Sequence, residues 1–213
     1  MSLTQLELFN ATVNHQKHDK VLFYAAFTPD LDRRISQKYK LDDSVNLVDY
    51  FGMFRPEQII VPHIDSRNLD FDQYYENVYK PKGTHIDDNG VLHIPGSMYH
   101  FTHYISPLRD ATAFEQIESF PYKNFSSSGD DDLSKLVQQT HKQGRVATSW
   151  VGHMYEDSWQ IRGYEQFLMD MAAQSEWCEF ILDKVTKRNM FNATAAAKAG
   201  VDYIMTGDDV ACQ

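Results

Sequence analysis

An α/β fold with parallel strands is predicted by three observations in this sequence of 213 residues. Two short apolar segments, RVATSWV at 145–151 and VDYIMTG at 201–207, have the character of buried strands. Each follows a stretch with helical periodicity that ends at a glycine, Gly144 or Gly200. A third apolar run, VLFYAAF at 21–27, is typical of a strand covered on both faces. Helix and strand repeats of this kind indicate parallel strands joined by right-handed crossovers.

Residues 30–80 are predicted to hold only short helices. Pro29 ends the apolar run, because proline cannot donate a backbone hydrogen bond to a sheet. Helical patterns follow in LDRRISQKY at 31–39 and in NLVDYFGMF at 46–54.

An antiparallel hairpin is predicted between Thr84 and Tyr104, as an insert among the parallel elements. Asp-Asn-Gly at 88–90 separates two short alternating or aromatic stretches there, which is a strong hairpin signal. The next segment, SPLRDATAFEQIESFPY, predicts a short helix. We expect Thr112 as its N-cap with Glu115 completing a capping box, and Pro121 after its end.

The second half of the chain is predicted to be mainly helical. One helix begins near Asp131, and two further helical stretches run from about Tyr155 to Met171 and from Ser175 to Ala199. The first of these helices has three apolar residues on one face: Leu133, Leu136 and Val137.

The chain stops at Gln213, directly after the predicted strand at 201–207. A parallel strand without a following helix leaves an apolar face and an edge uncovered. We therefore expect residues 1–213 to form a single domain that is the front portion of a larger fold, or a subunit completed by another chain, such as a homodimer.

Composition and charge exclude several classes of protein. A net charge of −10 and a pI near 5.3 oppose binding to nucleic acid, because the field of the protein repels a polyanion. The sequence has no signal-peptide pattern and no apolar run of roughly 20 residues, so we expect no membrane span and a cytoplasmic location. Cys178 and Cys212 form no CxxC pair, so neither a disulfide framework nor a cysteine zinc site is expected.

Three histidines lie close together in the hairpin region, at His93, His100 and His103. His100 and His103 would point to opposite faces of a strand, and no Cys or Glu at ligand spacing accompanies them. Ordinary polar contacts are therefore favoured, and we predict no metal ligand in this chain.

Acidic residues follow the last predicted strand, where reactive groups collect in α/β folds. Asp208 and Asp209 are adjacent, so only one of them is expected to enter a site, as a candidate catalytic carboxylate that accepts a proton or orients a substrate. The alternative is that such an aspartate simply caps the next helix.

The segment after the strand at 145–151 supplies the other candidates. His153 is a possible general acid or base, or a passive polar residue. Glu156, Trp159 and Arg162 are spaced by three, which places them along one helix face. Arg162 could hold a substrate carboxylate beside Trp159, or form a surface pair with Glu156. Three more residues complete the predicted substrate-binding set: Phe27, Tyr155 and Gln213.

Five segments together resemble the uroporphyrinogen decarboxylase superfamily, in particular its decarboxylase-like and corrinoid-methyltransferase-like members. Three of them lie in the second half of the chain: GRVATSWVGHMYEDSWQIRGYEQFLMDM, SEWCEFILDKVTKRN and AKAGVDYIMTGDDVACQ. Two precede them in the expected order, HIDDNGVLHIPG and SPLRDATAFEQIESFPY. The resemblance covers most of residues 84–213.

The resemblance implies a (β/α)₈ barrel of TIM type, of which this chain would hold about the first three strands and the hairpin insert. Members of the superfamily either decarboxylate the acetate arms of a tetrapyrrole, or move a methyl group between a corrinoid protein and a thiol or other acceptor. In the methyltransferases zinc is held by later His and Cys residues. The resemblance therefore implies no cofactor within this chain and a zinc ion in a full-length parent protein.

This chain differs from the true decarboxylases of the superfamily at one motif, and the difference bears on the choice between decarboxylation and methyl transfer. The true decarboxylases carry an R-Q-A-G-R-Y motif that binds substrate carboxylates, whereas this chain reads FTPDLDRRISQKY after its first apolar run. A methyltransferase-like enzyme acting on a small molecule or a methyl-corrinoid protein is therefore the favoured function. Tetrapyrrole decarboxylation remains the alternative enzyme activity, and an inactive fragment or binding subunit is the alternative from another class.

Overall fold

The computed structural model describes residues 3–62, 67–98, 101–125 and 130–208. Its α-helices are, in chain order, α1 (Gln5–Val13), α2 (Pro29–Tyr39), α3 (Leu47–Tyr50), α4 (Phe114–Glu118), α5 (Asp130–Lys142), α6 (Tyr155–Arg162), α7 (Tyr164–Ala172) and α8 (Glu176–Ala199). Its strands are β1 (Glu57–Gln58), β2 (His85–Ile86), β3 (Leu92–Pro95), β4 (Thr102–Ile105), β5 (Ala147–Trp150) and β6 (Tyr203–Met205). A short 3₁₀ helix spans Asp72–Tyr75.

The chain divides into two compact units that alternate along the sequence. The first unit comprises Met1–Ile60, Asp130–Ser149 and Ala196–Ile204. The second unit comprises Val61–Gly129, Trp150–Ala195 and Met205–Gln213.

The first unit contains a three-stranded sheet in the order β1, β5, β6. β1 and β5 are parallel, with Glu57 opposite Ala147. Asp202 N–H donates to the Ala147 carbonyl at 2.9 Å, and the Thr148 hydroxyl donates to the Tyr203 carbonyl at 3.2 Å, so β5 and β6 also run in the same direction. The predicted strands at 145–151 and 201–207 are thus confirmed, each with shorter bounds.

The central strand of this sheet is buried over its first three residues, whereas Trp150 at its end is 40% exposed. Ala147, Thr148 and Ser149 are at most 1% exposed. Ser149 satisfies its buried hydroxyl by donating to the Ile59 carbonyl at 2.8 Å. Asp202 closes the start of the strand, because its carboxylate accepts from the Ala147 N–H at 2.7 Å.

The apolar run at 21–27 is not a buried strand, and that prediction is wrong. No strand is assigned to these residues, and Val21 and Tyr24 are 81% and 69% exposed. One backbone bond, from Phe54 N–H to the Phe23 carbonyl, connects the run to the chain after α3. Hydrophobicity alone predicted the strand, but a strand also needs neighbours along its edges and on its faces.

The second unit contains an antiparallel sheet in the order β2, β3, β4. His85 faces His93 across the first pair, which confirms the predicted hairpin. Asp87 holds the turn, because its Oδ1 accepts from the N–H groups of Asn89 and Val91, both at 2.9 Å. Gly90 takes a positive φ of 79° in that turn, and its carbonyl accepts from the Tyr75 hydroxyl.

The hydrophobic core of the second unit packs this sheet against α6 and α8. Val91 and Leu92 from the hairpin and Ile181 from α8 are completely buried. The fully described core cluster is Phe71, Tyr75, Val91, Leu92, Leu108, Ile117, Phe120, Ile161, Ile181 and Val185. Burial raises the pKa of the Tyr75 hydroxyl well above its usual range, so this group stays a neutral donor.

Two details of the helices differ from the prediction. Thr112 is not the N-cap of α4, which instead begins after Ala113, and the Gln116 side chain accepts from the N–H groups of both residues. The Gln116 amide oxygen thus accepts from the backbone where a carboxylate at Glu115 was expected to do so. Leu133 and Val137 are buried in α5, but Leu136 is 48% exposed. The apolar face formed by these three residues is wider than the part of the helix surface that the rest of the protein covers.

The predicted helix from Tyr155 to Met171 is broken into α6 and α7 at Gly163. This residue has φ +105°, outside the range of helical residues. A Cβ at this position would lie 2.5 Å from the Gln166 Oε1 atom. The predicted helix from Ser175 to Ala199 is confirmed as α8.

The described residues therefore form a mixed α/β structure with two small sheets, and no closed barrel is present among them. Within the same residues, no helix is both long enough and apolar enough to cross a membrane.

Candidate active site

The candidate site lies in the second unit, in the loops that follow β5 and β6. Parallel neighbouring strands end at the same edge of a sheet, so their next residues meet. Val151 N–H donates to the Met205 carbonyl at 2.9 Å, and the Thr206 hydroxyl donates to the Gly152 carbonyl at 2.7 Å. These two bonds hold the loops together and place His153 beside Asp208.

Asp208 binds the N-terminus of α6 through three backbone hydrogen bonds. Its Oδ2 accepts from the N–H groups of Met154 at 2.7 Å and Tyr155 at 2.8 Å, and its Oδ1 accepts from Glu156 N–H at 2.8 Å. Asp208 therefore does cap a helix, but not the following helix that the alternative interpretation named. The helix that it caps is the earlier one, after β5, rather than one that follows β6.

This environment keeps the Asp208 carboxylate charged. Burial favours the neutral acid, but the three backbone N–H donors and the nearby His153 outweigh it and lower the pKa of Asp208. The helix N-terminus adds a favourable field for a negative charge. Asp208 is therefore an anion over the physiological pH range and a poor proton acceptor.

His153 lies between two carboxylates. Its Nδ1 atom is 3.4 Å from Glu156 Oε2 and 3.8 Å from Asp208 Oδ1. The Nδ1 atom is buried and has no hydrogen-bond partner, although the whole side chain is 30% exposed. On its other side the imidazole packs against Trp150, with ring centroids 5.0 Å apart.

The main chain of His153 is fixed from α8. Its carbonyl accepts from Asn189 Nδ2 at 2.8 Å and from Arg188 Nη2 at 3.4 Å. Its N–H donates to Asp157 Oδ2 at 3.2 Å, and that carboxylate forms an ion pair with Arg188. These supports were not predicted, because charged residues occur along the whole of α8 and nothing in the sequence distinguishes Arg188 from the others.

Gly152 makes the close approach of the loop to α8 possible. It has φ +111°, and a Cβ there would lie 2.5 Å from Asn189 Oδ1. Both the dihedral angle and the space restrict the position to glycine. Asn192 Nδ2 also donates to the Val151 carbonyl at 3.2 Å, so α8 binds the carbonyls of the residues on both sides of Gly152.

Glu156 presents one free oxygen to the imidazole. Its Oε1 accepts from Gln160 Nε2 at 3.1 Å, one turn further along α6, which leaves Oε2 facing His153. One donor atom from each of His153, Glu156 and Asp208 lies within 4.8 Å of the others. His153 and Glu156 can exchange protons with a substrate beside the charged Asp208, and a nitrogen and two carboxylate oxygens at this spacing can ligate a divalent cation.

Arg162 does not join this cluster. It is 4% exposed, its Nε donates to Asp170 Oδ2 at 2.8 Å and its Nη1 donates to the Leu108 carbonyl at 2.7 Å. Its guanidinium also lies over the Trp177 ring, 5.0 Å from the centroid. The predicted surface pair with Glu156 is therefore wrong, because the turn at Gly163 places the carboxylate of Asp170 against Arg162 instead.

Two aromatic candidates pack around α6. Trp159 lies between Tyr104 and Tyr164, with ring centroids 6.0 Å and 5.5 Å away. Tyr155 packs against Phe167 at 5.9 Å. Both side chains are half-buried, so each presents only part of its surface to a ligand.

The remaining candidates lie elsewhere. Phe27 belongs to the first unit, where its ring is 6.5 Å from that of Phe51. Asp209 and Gln213 lie outside the described residues. Of the nine predicted site residues, the structure thus brings His153, Glu156 and Asp208 into one cluster.

Comparison of this chain with protein-family models, with curated proteins and with solved structures finds no significant match.

Proposed function

We propose that this chain carries part of the active site of a methyltransferase-like enzyme of the uroporphyrinogen decarboxylase superfamily. The enzyme would move a methyl group from a methyl-corrinoid partner to a small-molecule acceptor, such as a thiol. The observation that carries the proposal is the convergence of His153, Glu156 and Asp208 beyond two neighbouring parallel strands.

The proposed task of the cluster is to activate the acceptor. A thiol must lose its proton before its sulfur attacks the methyl group, because the thiolate is the nucleophile. Glu156 and His153 have the free base atoms at 3.4 Å from each other, and Asp208 stays charged beside them. The new bond joins sulfur to the methyl carbon, and the electron pair of the broken cobalt–carbon bond stays on cobalt.

The charge of the cluster favours methyl transfer over the alternative activity, tetrapyrrole decarboxylation. A polycarboxylate substrate needs cationic partners, but two of the three clustered groups are carboxylates. The guanidinium groups of Arg162 and Arg188 are engaged with Asp170 and Asp157. A porphyrinogen would therefore meet like charges at this cluster.

Methyl transfer is tested with the purified protein, methylcobalamin as the donor and a panel of thiols as acceptors. The methylated thiol is quantified by mass spectrometry, and uroporphyrinogen is offered in parallel with detection of released carbon dioxide. We expect transfer to a thiol and no carbon dioxide. Carbon dioxide without transfer would replace the proposal by decarboxylation, and neither product from a folded protein would favour a binding subunit.

A matched pair of variants separates the cluster from general effects of charge removal. Glu156→Gln keeps the shape of the side chain and removes its base, so we expect a rate loss of about 10²–10⁴-fold. Glu165→Gln removes the same charge from an exposed position on α7 and is expected to keep the full rate. Equal rates in both variants would contradict a role for Glu156 in the reaction.

A further inference from the structure

We infer that His153 Nδ1, Glu156 Oε2 and Asp208 Oδ1 form a three-ligand site for a divalent cation of the zinc type, with one coordination position left for a substrate atom. The inference deepens the proposed function, because it concerns the same side chains, and it rests on that proposal only for the role of the cation. A bound cation would take the lone pairs that act as bases in the metal-free protein, and a thiol would then lose its proton through coordination to the cation. Binding itself is measured without any substrate.

The spacing of the three atoms fits tetrahedral coordination. Ligands about 2.0–2.1 Å from a zinc ion at tetrahedral angles are about 3.4 Å from one another. The Nδ1 atom of His153 is 3.4 Å from the Glu156 oxygen and 3.8 Å from the Asp208 oxygen. One donor atom from each of the three residues lies within 4.8 Å of the other two, so a small movement of the side chains would bring all three to tetrahedral spacing.

Each of the three atoms has an electron pair available for a metal. His153 Nδ1 is buried and makes no hydrogen bond, which is costly for a polar atom unless something binds it. Glu156 uses Oε1 for Gln160 and leaves Oε2 open. Asp208 Oδ1 accepts one backbone N–H, which leaves its second lone pair free.

Surrounding groups hold the ligands in place, as they do in metal sites. Three backbone N–H groups orient the Asp208 carboxylate, and Gln160 orients Glu156. Asn189 holds the main chain of His153 at 2.8 Å, and Gly152 allows that contact. The two carboxylates and the main chain of His153 are therefore held in place before a cation arrives.

The donor set also selects the class of cation. An imidazole nitrogen suits zinc and other transition metals, whereas magnesium and calcium prefer sites made only of oxygen ligands. Two carboxylates with one neutral imidazole balance the charge of a divalent ion. Three protein ligands with an open fourth position are typical of catalytic zinc sites rather than structural ones.

Isothermal titration of the chelator-treated protein with ZnCl₂, and separately with MgCl₂, tests the inference. We expect one zinc ion to bind per chain, with magnesium much weaker. Zinc should also raise the melting temperature, because a ligand that binds only the folded state stabilises it. Binding of magnesium as tightly as zinc, or of no zinc at all, would overturn the site.

Two ligand variants and two matched controls locate the ion. Glu156→Gln and His153→Ala are expected to weaken zinc binding by at least about 10–100-fold, since even the loss of a supporting group has effects of that size. Glu165→Gln and His15→Asn change exposed residues and should bind zinc as the unaltered protein does. Circular dichroism checks that Glu156→Gln is folded, so that its result stands if His153→Ala is not.

The two proposals fail in different ways. Zinc binding that depends on Glu156, without methyl transfer, would leave the site standing and remove the proposed function. Methyl transfer that depends on Glu156 in a protein that binds no zinc would remove the site and leave the function.

Discussion

At the scale of single residues, Asp208 has two roles that ordinarily belong to different residues. It caps α6 by accepting from the backbone N–H groups of residues 154–156, and its carboxylate is one of the three groups in the cluster with His153 and Glu156. The first role explains why its pKa is lowered. A structural carboxylate that stays charged is also a dependable ligand or electrostatic partner, so the two roles support each other.

The capping role predicts a pH-dependent loss of stability in Asp208→Ala. At neutral pH we expect a loss of about 0.5–2 kcal/mol, the usual effect of removing a helix N-cap. Because the pKa of Asp208 is lower in the folded than in the unfolded state, its contribution is complete above the unfolded value of about 4 and is lost as the pH falls through the folded value. Urea denaturation at several pH values measures this. A deficit that stayed constant into strong acid would contradict the cap.

Gly152 is not one of the three clustered residues, but its substitution is expected to disturb the loop that carries His153. Gly152→Ala combines a φ of +111° with a Cβ 2.5 Å from Asn189 Oδ1, so we expect a loss of about 1–3 kcal/mol. Gly52→Ala is the control, because Gly52 also has a positive φ but no atom within 4 Å of a Cβ. Thermal unfolding of both variants gives the comparison. Equal losses would show that strain alone, and not the contact with α8, restricts Gly152.

At the scale of elements, the contact between α6 and α7 depends on a buried ion pair across the break at Gly163. Arg162 and Asp170 are 2.8 Å apart, and their side chains are 5% and 15% exposed. Removing one partner leaves the other charge buried without compensation, which costs about 3–5 kcal/mol. The sequence spacing suggested a pair with Glu156 instead, because spacing by three on one helix cannot reveal a partner on the next helix.

Asp170→Asn is therefore expected to destabilise the protein by about 3 kcal/mol, toward the lower end of that range because the amide keeps one acceptor. Asp183→Asn is the matched control on α8. Its pair with Lys187 has both side chains more than 70% exposed, so we expect a change below about 1 kcal/mol. Chemical denaturation measures both. A similar small effect of Asp170→Asn would show that Arg162 is solvated rather than buried.

At the scale of the whole chain, the sequence predicts local elements well and long-range partners poorly. Short apolar segments and helical periodicity located β5, β6, α5 and α8, because these patterns follow directly from which faces are covered. The turn residues at 88–90 located the hairpin in the same way. The prediction of a strand at residues 21–27 failed, because the neighbours of a segment in space, and not its own composition, determine whether it pairs with another strand.

For the candidate site too, the sequence predicted local features well and long-range contacts poorly. The rule that reactive groups follow parallel strands predicted that His153 and Asp208 belong to one site. The sequence could not reveal that Asp208 caps the helix after β5, since those two segments are more than 50 residues apart. The supports from Arg188 and Asn189 were missed for the same reason, because they act on the main chain of a distant loop.

The central claim is that His153, Glu156 and Asp208 form the reactive centre of a methyl-transfer enzyme. The most direct measurement is the rate of thiol methylation from methylcobalamin by Glu156→Gln, compared with Glu165→Gln, with both variants folded. The account predicts a loss of about 10²–10⁴-fold in the first variant and an unchanged rate in the second. Equal rates in the two variants would contradict it.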